Sequence, residues 1–249
     1  MKRALITGAS SGIGKVFSYE LAKRGYETVL VARRLERLQT ISDRIEEELG
    51  VRSVPLKVDL TDENDLIEVS KLLKDVDLLV NNAGFGLIGS FKDIEANREM
   101  QMIKLNVGAL YFLTKKYALL RNSVGGGIIN VASTAAYMPV PGMAVYAATK
   151  AFVLSFSEAV NEELHPNGFK VMVLSPGPTR TEFFDVASGG RKRLPGSMSP
   201  EEVVKKALVA FEKGKRSVVS GLINKITVSG SRLVPRSVAI KAARRVFEE

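Results

Sequence analysis

Residues 7–14 read TGASSGIG and begin on the last residue of the short apolar run RALIT at 3–7. Glycines at positions 8, 12 and 14 permit a tight turn, let backbone N–H groups approach a pyrophosphate, and allow the next helix to pack closely. A glycine-rich turn also occurs for packing alone, so its position between a first strand and a first helix decides its meaning. We therefore predict a dinucleotide-binding turn.

The rest of the chain alternates apolar or β-branched runs with longer helical patterns. The further strand-like runs are TVLVA (28–32), SVPLKVDL (53–60), VDLLVN (76–81), GIINVAS (127–133), KVMVLSP (170–176) and RSVVSGL (216–222). Helical patterns lie at 13–24, 35–49, 62–74, about 95–120 and about 143–165. Strands separated by crossover helices predict an α/β fold, a doubly wound parallel sheet (Rossmann fold) of about seven strands with helices on both faces.

The charge of the protein is unevenly distributed. The net charge is +9, and nine Lys and Arg residues but no acid lie between positions 213 and 247. Residues 1–212 hold the other 27 basic residues against 25 acids, since the totals are 36 and 27 and two acids end the chain. Residues 1–212 are therefore nearly neutral, so we expect no nucleic-acid partner, and we predict a single Rossmann-type domain at 1–224 followed by a basic tail at 225–249.

Composition also limits the chemistry and the location. The 249 residues contain no cysteine, which excludes disulfides and thiolate chemistry. The single histidine, His165, lies at the end of a helical pattern, and no cluster has metal-ligand spacing, so we expect no metal site. Neither a signal peptide nor an apolar stretch of 18 residues is present, so we expect a cytoplasmic protein.

The end of the second predicted strand indicates which dinucleotide binds. Sites for NAD usually place an acid there to bind the ribose 2′-hydroxyl, whereas arginine accommodates the 2′-phosphate of NADP. The sequence LVARRLERL puts Ala32 at the acid's position, followed by Arg33 and Arg34. We predict NADP (NADPH), the alternative being that the arginines merely flank a solvated helix start.

The stretch YAATK places Tyr146 and Lys150 four residues apart, on one face of a predicted helix. An ammonium beside a phenol favours the phenolate. Lowering a phenol pKa from about 10 to about 7 takes roughly 4 kcal/mol, which one lysine does not supply. A second positive charge is therefore expected nearby.

These motifs together resemble the short-chain dehydrogenase/reductase (SDR) family from residue 3 to about 183. The matching motifs are TGxxxGIG at 7–14, DL at 59–60, NNAG at 81–84, the asparagine of KLNVGAL at 106, NVAS ending at 133, YAATK at 146–150 and PGPTRT at 176–181. Longer phrases such as PGPTRTEFF resemble bacterial oxidoreductases of that family whose substrates are mostly unassigned. The resemblance implies hydride transfer between nicotinamide and a small-molecule carbonyl or alcohol.

The resemblance also implies a role for individual residues. Tyr146 would be the general acid/base, Lys150 would hold the nicotinamide ribose and favour the phenolate together with the oxidised nicotinamide, and Ser133 would bind the reacting oxygen. Asn106 would hold a water that links Lys150 to solvent. The implied cofactor-binding residues are Gly8, Ser10, Ser11, Gly12, Ile13, Gly14, Arg33, Arg34, Asp59, Leu60, Asn82, Ala83, Gly84, Tyr146, Lys150, Pro176, Gly177, Thr179 and Thr181.

Other features leave the partners of the protein open. A Gly, Pro and Ser-rich stretch predicts a lid at about 185–198. Residues from 238 form an amphipathic basic helix that suits either peripheral membrane contact or packing in a homo-oligomer, a dimer or tetramer. The candidate substrate-lining residues are largely apolar and predict a hydrophobic substrate: Phe85, Leu87, Ile88, Tyr137, Met138, Val140, Met143, Phe183 and Phe184. A non-catalytic dinucleotide-binding regulator is the rival function, although it would be expected to lack Tyr146, Lys150 or Ser133.

Overall fold

The computed structural model describes residues 1–121, 123–188 and 197–248. Seven parallel strands form one sheet in the order β3-β2-β1-β4-β5-β6-β7. The strands are β1 Lys2–Thr7, β2 Tyr26–Ala32, β3 Ser53–Lys57, β4 Leu78–Asn81, β5 Gly126–Val131, β6 Phe169–Ser175 and β7 Ser217–Val219. The predicted fold class and the seventh strand are both confirmed.

Ten helices connect and cover the strands in the described part of the chain. They are α1 Gly12–Ala22, α2 Leu35–Leu49, α3 Glu63–Ser70, α4 Ala96–Ile103, α5 Leu110–Leu120, α6 Ala144–Leu164, α7 Phe183–Ser188, α8 Pro200–Glu212, α9 Leu222–Leu233 and α10 Arg236–Glu248. Local sequence explains several boundaries. The Asp62 side chain accepts from the backbone of Asp65 at the start of α3, and Ser199 caps α8 in the same way.

The helices bury opposite faces of the sheet, because successive residues of a strand point to opposite sides. Ile6 belongs to a core that contains residues of α1, α2 and α8, whereas Leu5 belongs to a second core that contains residues of α3 and α5. Both residues are fully buried. The sheet is therefore covered on both faces, and its strand ends are left to form a site.

The helical pattern predicted over 95–120 is not continuous. Helix α4 ends at Ile103, and residues Lys104–Ala109 form a π-helical turn before α5 begins. A π turn adds a residue to the local helical repeat and changes the direction of the side chains within it. This turn contains Asn106, which is 1% exposed.

The strand order reverses between β1 and β4, so their carboxyl ends border the crevice where doubly wound folds bind ligands. Thr7 holds these two ends together. Its hydroxyl donates to the carbonyl of Val80 at 3.3 Å and accepts from the backbone N–H groups of Asn82 and Ala83 at 2.9 and 3.0 Å. The ends of the two strands are thereby fixed relative to each other.

The two segments predicted to lie beyond the chemical motifs have partly helical structure. Residues 185–188 of the predicted lid belong to α7, Met198 pairs with Thr179, and residues 189–196 lie outside the described part of the chain. The predicted tail boundary at 224/225 falls inside α9, so we define the C-terminal segment as residues 222–249. Among the described residues, no helix has the length and apolarity to span a bilayer.

Candidate active site

The glycine-rich turn has backbone geometry that other residues would not adopt. Gly12 has φ +53°, and a Cβ on Gly14 would collide with the carbonyl oxygen of Gly8. Ser11 makes no side-chain capping bond to α1, and the first turn of that helix carries no acid. The N-terminal N–H groups of α1 are therefore free of a side-chain cap, which fits the pyrophosphate of a dinucleotide.

Arg33 and Arg34 follow β2 but interact with different parts of the site. The Arg33 charge lies near Asp59, where burial alone would raise the carboxyl pKa, but hydrogen bonds from Thr61 and this charge lower it. Arg34 instead donates to the hydroxyl of Ser10 at 3.0 Å and to that of Ser11 at 2.9 Å. Arg34 is therefore the arginine that is connected to the glycine-rich turn.

Glu182 lies opposite Arg34 and also binds Arg37. Its carboxylate accepts from Arg34 at 2.9 Å and from Arg37 at 2.6 Å, and these hydrogen bonds lower the pKa of Glu182. Neither Arg37 nor Glu182 is among the site residues predicted from the sequence. The available signals were a third arginine in ARRLER and an acid directly after the PGPTRT motif.

Tyr146 and Ser133 come together although they belong to different elements. Ser133 follows β5, and Tyr146 lies in the first turn of α6. The two side chains form a hydrogen bond, and the Ser133 oxygen also accepts from the backbone of Ala135 at 3.1 Å. Tyr146 is 7% exposed, so its phenol is held in a largely dry position beside a second hydroxyl.

Burial dominates the pKa of both Tyr146 and Lys150 in the protein without a cofactor, so a phenolate favoured by Lys150 together with the oxidised nicotinamide stays a prediction. Burial raises the pKa of Tyr146 to about 12, although the Ser133 hydrogen bond opposes this. Burial likewise lowers the pKa of Lys150 to about 8. The Lys150 Nζ donates to the carbonyl of Val131 at 2.8 Å and lies 5.9 Å from the Tyr146 ring centroid. Desolvation of each charged form therefore outweighs the attraction between them.

Asn106 connects the loop after β4 to α6. Its amide donates to the carbonyl of Phe85 at 2.9 Å and accepts from the Phe85 N–H at 3.1 Å. The same amide nitrogen donates to the Thr149 hydroxyl at 3.1 Å, and that hydroxyl donates to the Tyr146 carbonyl at 2.7 Å. Thr149 lies within YAATK but is not among the site residues predicted from the sequence. The Asn106 side chain thus supports the backbone of the Tyr146 turn.

The NNAG motif is held by polar contacts of its two asparagines. The Asn82 amide donates to the carbonyl of Thr7 at 2.9 Å, and the Asn81 amide donates to Asn130 at 2.9 Å. A Cβ on Gly84 would lie 2.8 Å from the Asn106 oxygen, so this glycine allows the close approach of the two segments. The NNAG motif therefore lies between the glycine-rich turn and Lys150 and contacts both.

The remaining predicted cofactor residues lie around the same strand ends. Leu60 is buried in the core on the α5 side, and Ile13 packs against the opposite core. After β6, the Pro176 carbonyl accepts from the backbone of Thr134 at 2.9 Å. In the same segment, the Thr179 hydroxyl donates to the Gly177 carbonyl at 2.9 Å, and the Thr181 side chain lies against Gly12.

An apolar cluster surrounds Tyr146. Seven of the nine predicted lining residues belong to it: Phe85, Leu87, Ile88, Met138, Val140, Met143 and Phe183. The ring centroids of Phe183 and Tyr146 are 5.3 Å apart, and Phe184 contacts Phe183 at the same centroid distance. Tyr137 lies in another cluster, against α6, with its hydroxyl 3.4 Å from that of Ser175.

Similarity to known proteins agrees with this arrangement. The short chain dehydrogenase family matches residues 2–190. A rat protein named 17-beta-hydroxysteroid dehydrogenase type 3 is 36% identical over 70% of the chain, which spans only 58% of that relative's length. The NADP-dependent 3-hydroxy acid dehydrogenase of Schizosaccharomyces pombe is 32% identical over 88% of the chain and 90% of the relative. A short-chain dehydrogenase from Sphingobium yanoikuyae in complex with NADPH is 37% identical, with a TM-score of 0.87 over 94% of both chains.

Proposed function

The chain belongs to the short-chain dehydrogenase family, and from this premise we propose that it is an NADP(H)-dependent carbonyl reductase or alcohol dehydrogenase with a hydrophobic substrate. The observation that carries the proposal is the meeting of Ser133, Tyr146 and Lys150 beside the glycine-rich turn. A non-catalytic regulator would have no need for a buried phenol that is hydrogen-bonded to a second hydroxyl and lies near a buried ammonium.

In the reductive direction, NADPH, when bound, would supply a hydride to the carbonyl carbon of the substrate. The Ser133 and Tyr146 hydroxyls hold the carbonyl oxygen, and Tyr146 donates its proton to that oxygen as negative charge develops there. Because burial raises the pKa of Tyr146 to about 12, the phenol still carries this proton at neutral pH. Once the alcohol product has formed, Tyr146 remains as a phenolate. The Lys150 ammonium stabilises this phenolate until Tyr146 regains a proton from solvent.

In the oxidative direction, Tyr146 must be a phenolate so that it can accept the proton of the substrate hydroxyl. The protein alone raises the pKa of this phenol, so a further positive charge must act on it during oxidation. The oxidised nicotinamide would provide that charge. This requirement gives the proposed cofactor an electrostatic role in addition to hydride transfer.

The choice of NADP(H) is supported by the groups at the end of β2. Two arginines, Arg34 and Arg37, and the Ser10 hydroxyl lie together beside the glycine-rich turn, and Ala32 leaves no acid at this position. A phosphate bound by arginines through charge-assisted hydrogen bonds suits such a cluster. The Sphingobium relative was solved with NADPH, which is consistent with this choice.

The hydrophobic substrate is supported by the apolar cluster around Tyr146. The relatives differ in this respect, since one is named for a hydroxysteroid and another for a 3-hydroxy acid. We propose an uncharged ketone or aldehyde, because Phe85, Met138, Met143 and Phe183 supply apolar surface next to the reactive hydroxyls.

The test follows NADPH absorbance with a panel of ketones, aldehydes, steroids and 3-oxo acids. Tyr146→Phe keeps the ring's packing but removes the proton, so turnover should fall by about 10² or more. NADPH should still bind to this variant, as measured by fluorescence. Near-normal turnover of the variant would contradict the catalytic role of Tyr146, and NADPH binding without turnover of any substrate by the wild type would favour the regulator.

We also propose a homo-oligomer in which α5 and α6 form the contact. Tyr111 and Phe152 are 47% and 39% exposed, and both contact Phe156 on the outer face of these helices. Exposed aromatic clusters are typical of interfaces. Tyr111→Asp with Phe152→Asp should reduce the mass in light scattering, and an unchanged mass would exclude this face.

We propose that the protein is cytoplasmic and that its C-terminal segment makes a peripheral contact with an anionic membrane. The predicted apolar face of α10 is partly used within the protein, since Ala239 and Ala243 are buried. Helix α9 instead exposes Leu222, Ile223 and Ile226 by 74, 79 and 64%. The segment is basic, so apolar insertion and attraction to anionic lipid would act together.

Co-sedimentation with anionic and neutral vesicles at low and high salt tests this contact. The wild type should bind anionic vesicles in a salt-sensitive manner, and Leu222→Ser with Ile223→Ser and Ile226→Ser should abolish binding. If vesicles do not bind and the triple variant has a lower mass, the α9 face packs on a second copy of the chain instead.

A further inference from the structure

Arg34 and Arg37 converge on one carboxylate. The two arginines bind different oxygens of Glu182, Oε2 for Arg34 and Oε1 for Arg37. Arg34 is simultaneously held by the hydroxyls of Ser10 and Ser11. The group therefore resembles an anion site in which two guanidinium groups bind an anion supplied by the protein itself.

The position of Glu182 is determined by its own backbone segment. The Arg180 N–H donates to the Met198 carbonyl at 2.9 Å, and the Met198 N–H donates to the Pro178 carbonyl at 3.0 Å. On the other side, Thr181 contacts Gly12 of the glycine-rich turn. Residues 178–181 are therefore held in place directly before Glu182, and this positions its carboxylate beside the two arginines.

We propose that Glu182 is a specificity-determining residue, whose carboxylate occupies the site of the cofactor's 2′-phosphate and must be displaced when NADP(H) binds. The inference rests on the proposed function, because it takes Arg34 and Arg37 as the phosphate ligands. NAD(H) has no 2′-phosphate and leaves the ion pairs intact. Glu182 thus reduces the affinity for NADP(H), so the affinities of the protein for NADP(H) and NAD(H) differ less than they would without this carboxylate.

The magnitude follows from the exposure of the ion pairs. The side chains of Arg34, Arg37 and Glu182 are 43, 49 and 45% exposed, so solvent screens the pairs. Exposed pairs of this kind are weak, and the loss of two of them corresponds to about a three- to ten-fold change in an equilibrium constant. Glu182→Gln should therefore bind a 2′-phosphate about three to ten times more tightly than the wild type.

The experiment measures binding without catalysis. Isothermal titration calorimetry compares adenosine 2′,5′-bisphosphate with adenosine 5′-monophosphate, which differ only in the 2′-phosphate. Glu182→Gln should tighten binding of the bisphosphate and leave that of the monophosphate nearly unchanged. Arg37→Gln should weaken binding of the bisphosphate alone, by about ten-fold, since it removes a charge-assisted contact.

Asp185→Asn provides the matched control. Asp185 is an exposed carboxylate of the same segment without an ion-pair partner among the described residues, so this variant changes net charge equally but should not alter bisphosphate binding. Thermal melts of all variants establish that they are folded, and Glu182→Ala provides a second removal of the carboxylate.

The outcomes separate this inference from the proposed cofactor. If the wild type binds both nucleotides equally, the assignment of NADP(H) fails. If the wild type prefers the bisphosphate but Glu182→Gln and Glu182→Ala bind it no more tightly than Asp185→Asn does, the competition by Glu182 is refuted while the cofactor assignment stands. Weaker binding by the Glu182 variants would show that the carboxylate assists binding, which also overturns the inference.

Discussion

Replacing Lys150 with methionine should stabilise the protein while it removes activity. Lys150 is 5% exposed, and burial lowers the pKa of its ammonium from 10.5 to about 8. At neutral pH the folded protein therefore carries a buried charge that the unfolded chain would expose to water. Methionine has similar length and no charge, so it removes this cost.

The magnitude can be worked from the two pKa values and one hydrogen bond. The difference between 10.5 and about 8 corresponds to about 3 kcal/mol of destabilisation at pH 7. Loss of the 2.8 Å bond from Nζ to the Val131 carbonyl offsets roughly 1 to 2 kcal/mol of that gain. A net gain of about 1 to 2 kcal/mol should raise the Tm of a chain of this size by about 2 to 8 °C.

The pH dependence of stability provides a second signature of the same group. Between pH 8 and 10 the unfolded chain keeps the lysine proton that the folded protein loses, so the free energy of unfolding rises with pH. From the two pKa values this rise is about 2 kcal/mol over the two pH units. Above pH 10 the raised pKa values of Tyr146 and Tyr117 act in the opposite direction, which sets the upper limit of the window.

The assay is urea unfolding of the cofactor-free protein at several pH values from 7 to 10, for the wild type and Lys150→Met. The rise between pH 8 and 10 should be smaller in the variant by about 2 kcal/mol. Lys205→Met, at an exposed position of α8, is the control and should retain the rise. A lower Tm for Lys150→Met together with an unchanged pH dependence would refute the idea that this ammonium is buried at a cost.

Three further variants test other parts of the site. Gly14→Ala should abolish NADPH binding measured by fluorescence, because its Cβ collides with the carbonyl of Gly8 in the turn, and wild-type affinity would contradict this. Thr149→Val should lower stability by about 1 to 3 kcal/mol in urea unfolding, since one Asn106 N–H loses its buried acceptor, and an unchanged midpoint would show that this contact contributes little. Arg34→Ala should reduce an NADPH-over-NADH preference of about 10 or more to near equality in steady-state kinetics, whereas a retained preference would assign the phosphate to other residues.

The order of strands and helices and the main motifs could be predicted from the sequence because they depend on local patterns. Hydrophobic runs, glycines and helical periodicity are read over a few residues, and parallel strands joined by crossover helices have few possible arrangements. The helical pattern over 95–120 shows the limit of this reasoning. Its period is helical throughout, but the contact of Asn106 with Phe85 accompanies a π turn that local periodicity does not reveal.

The resemblance implied roles for Tyr146, Ser133 and Lys150, which stay predictions, but the ionisation of these groups in the folded protein depends on burial. The sequence places Lys150 beside Tyr146 and suggests a lowered phenol pKa, whereas burial of both groups raises the pKa of Tyr146 and lowers that of Lys150. Desolvation depends on every segment that covers a side chain, including Phe183 from beyond β6. It therefore cannot be read from neighbouring residues alone.

The arginines of the proposed cofactor site also show what the sequence determines and what only the fold determines. The sequence places Ala32 where an NAD site has an acid and predicts that Arg33 and Arg34, which follow it, bind the cofactor. Only the fold showed that Arg33 lies near Asp59, while Arg34 and Arg37 share a carboxylate from a segment more than 140 residues away. Motifs specify which chemical groups are present, whereas partners that are distant along the chain meet only when the sheet brings its strand ends together.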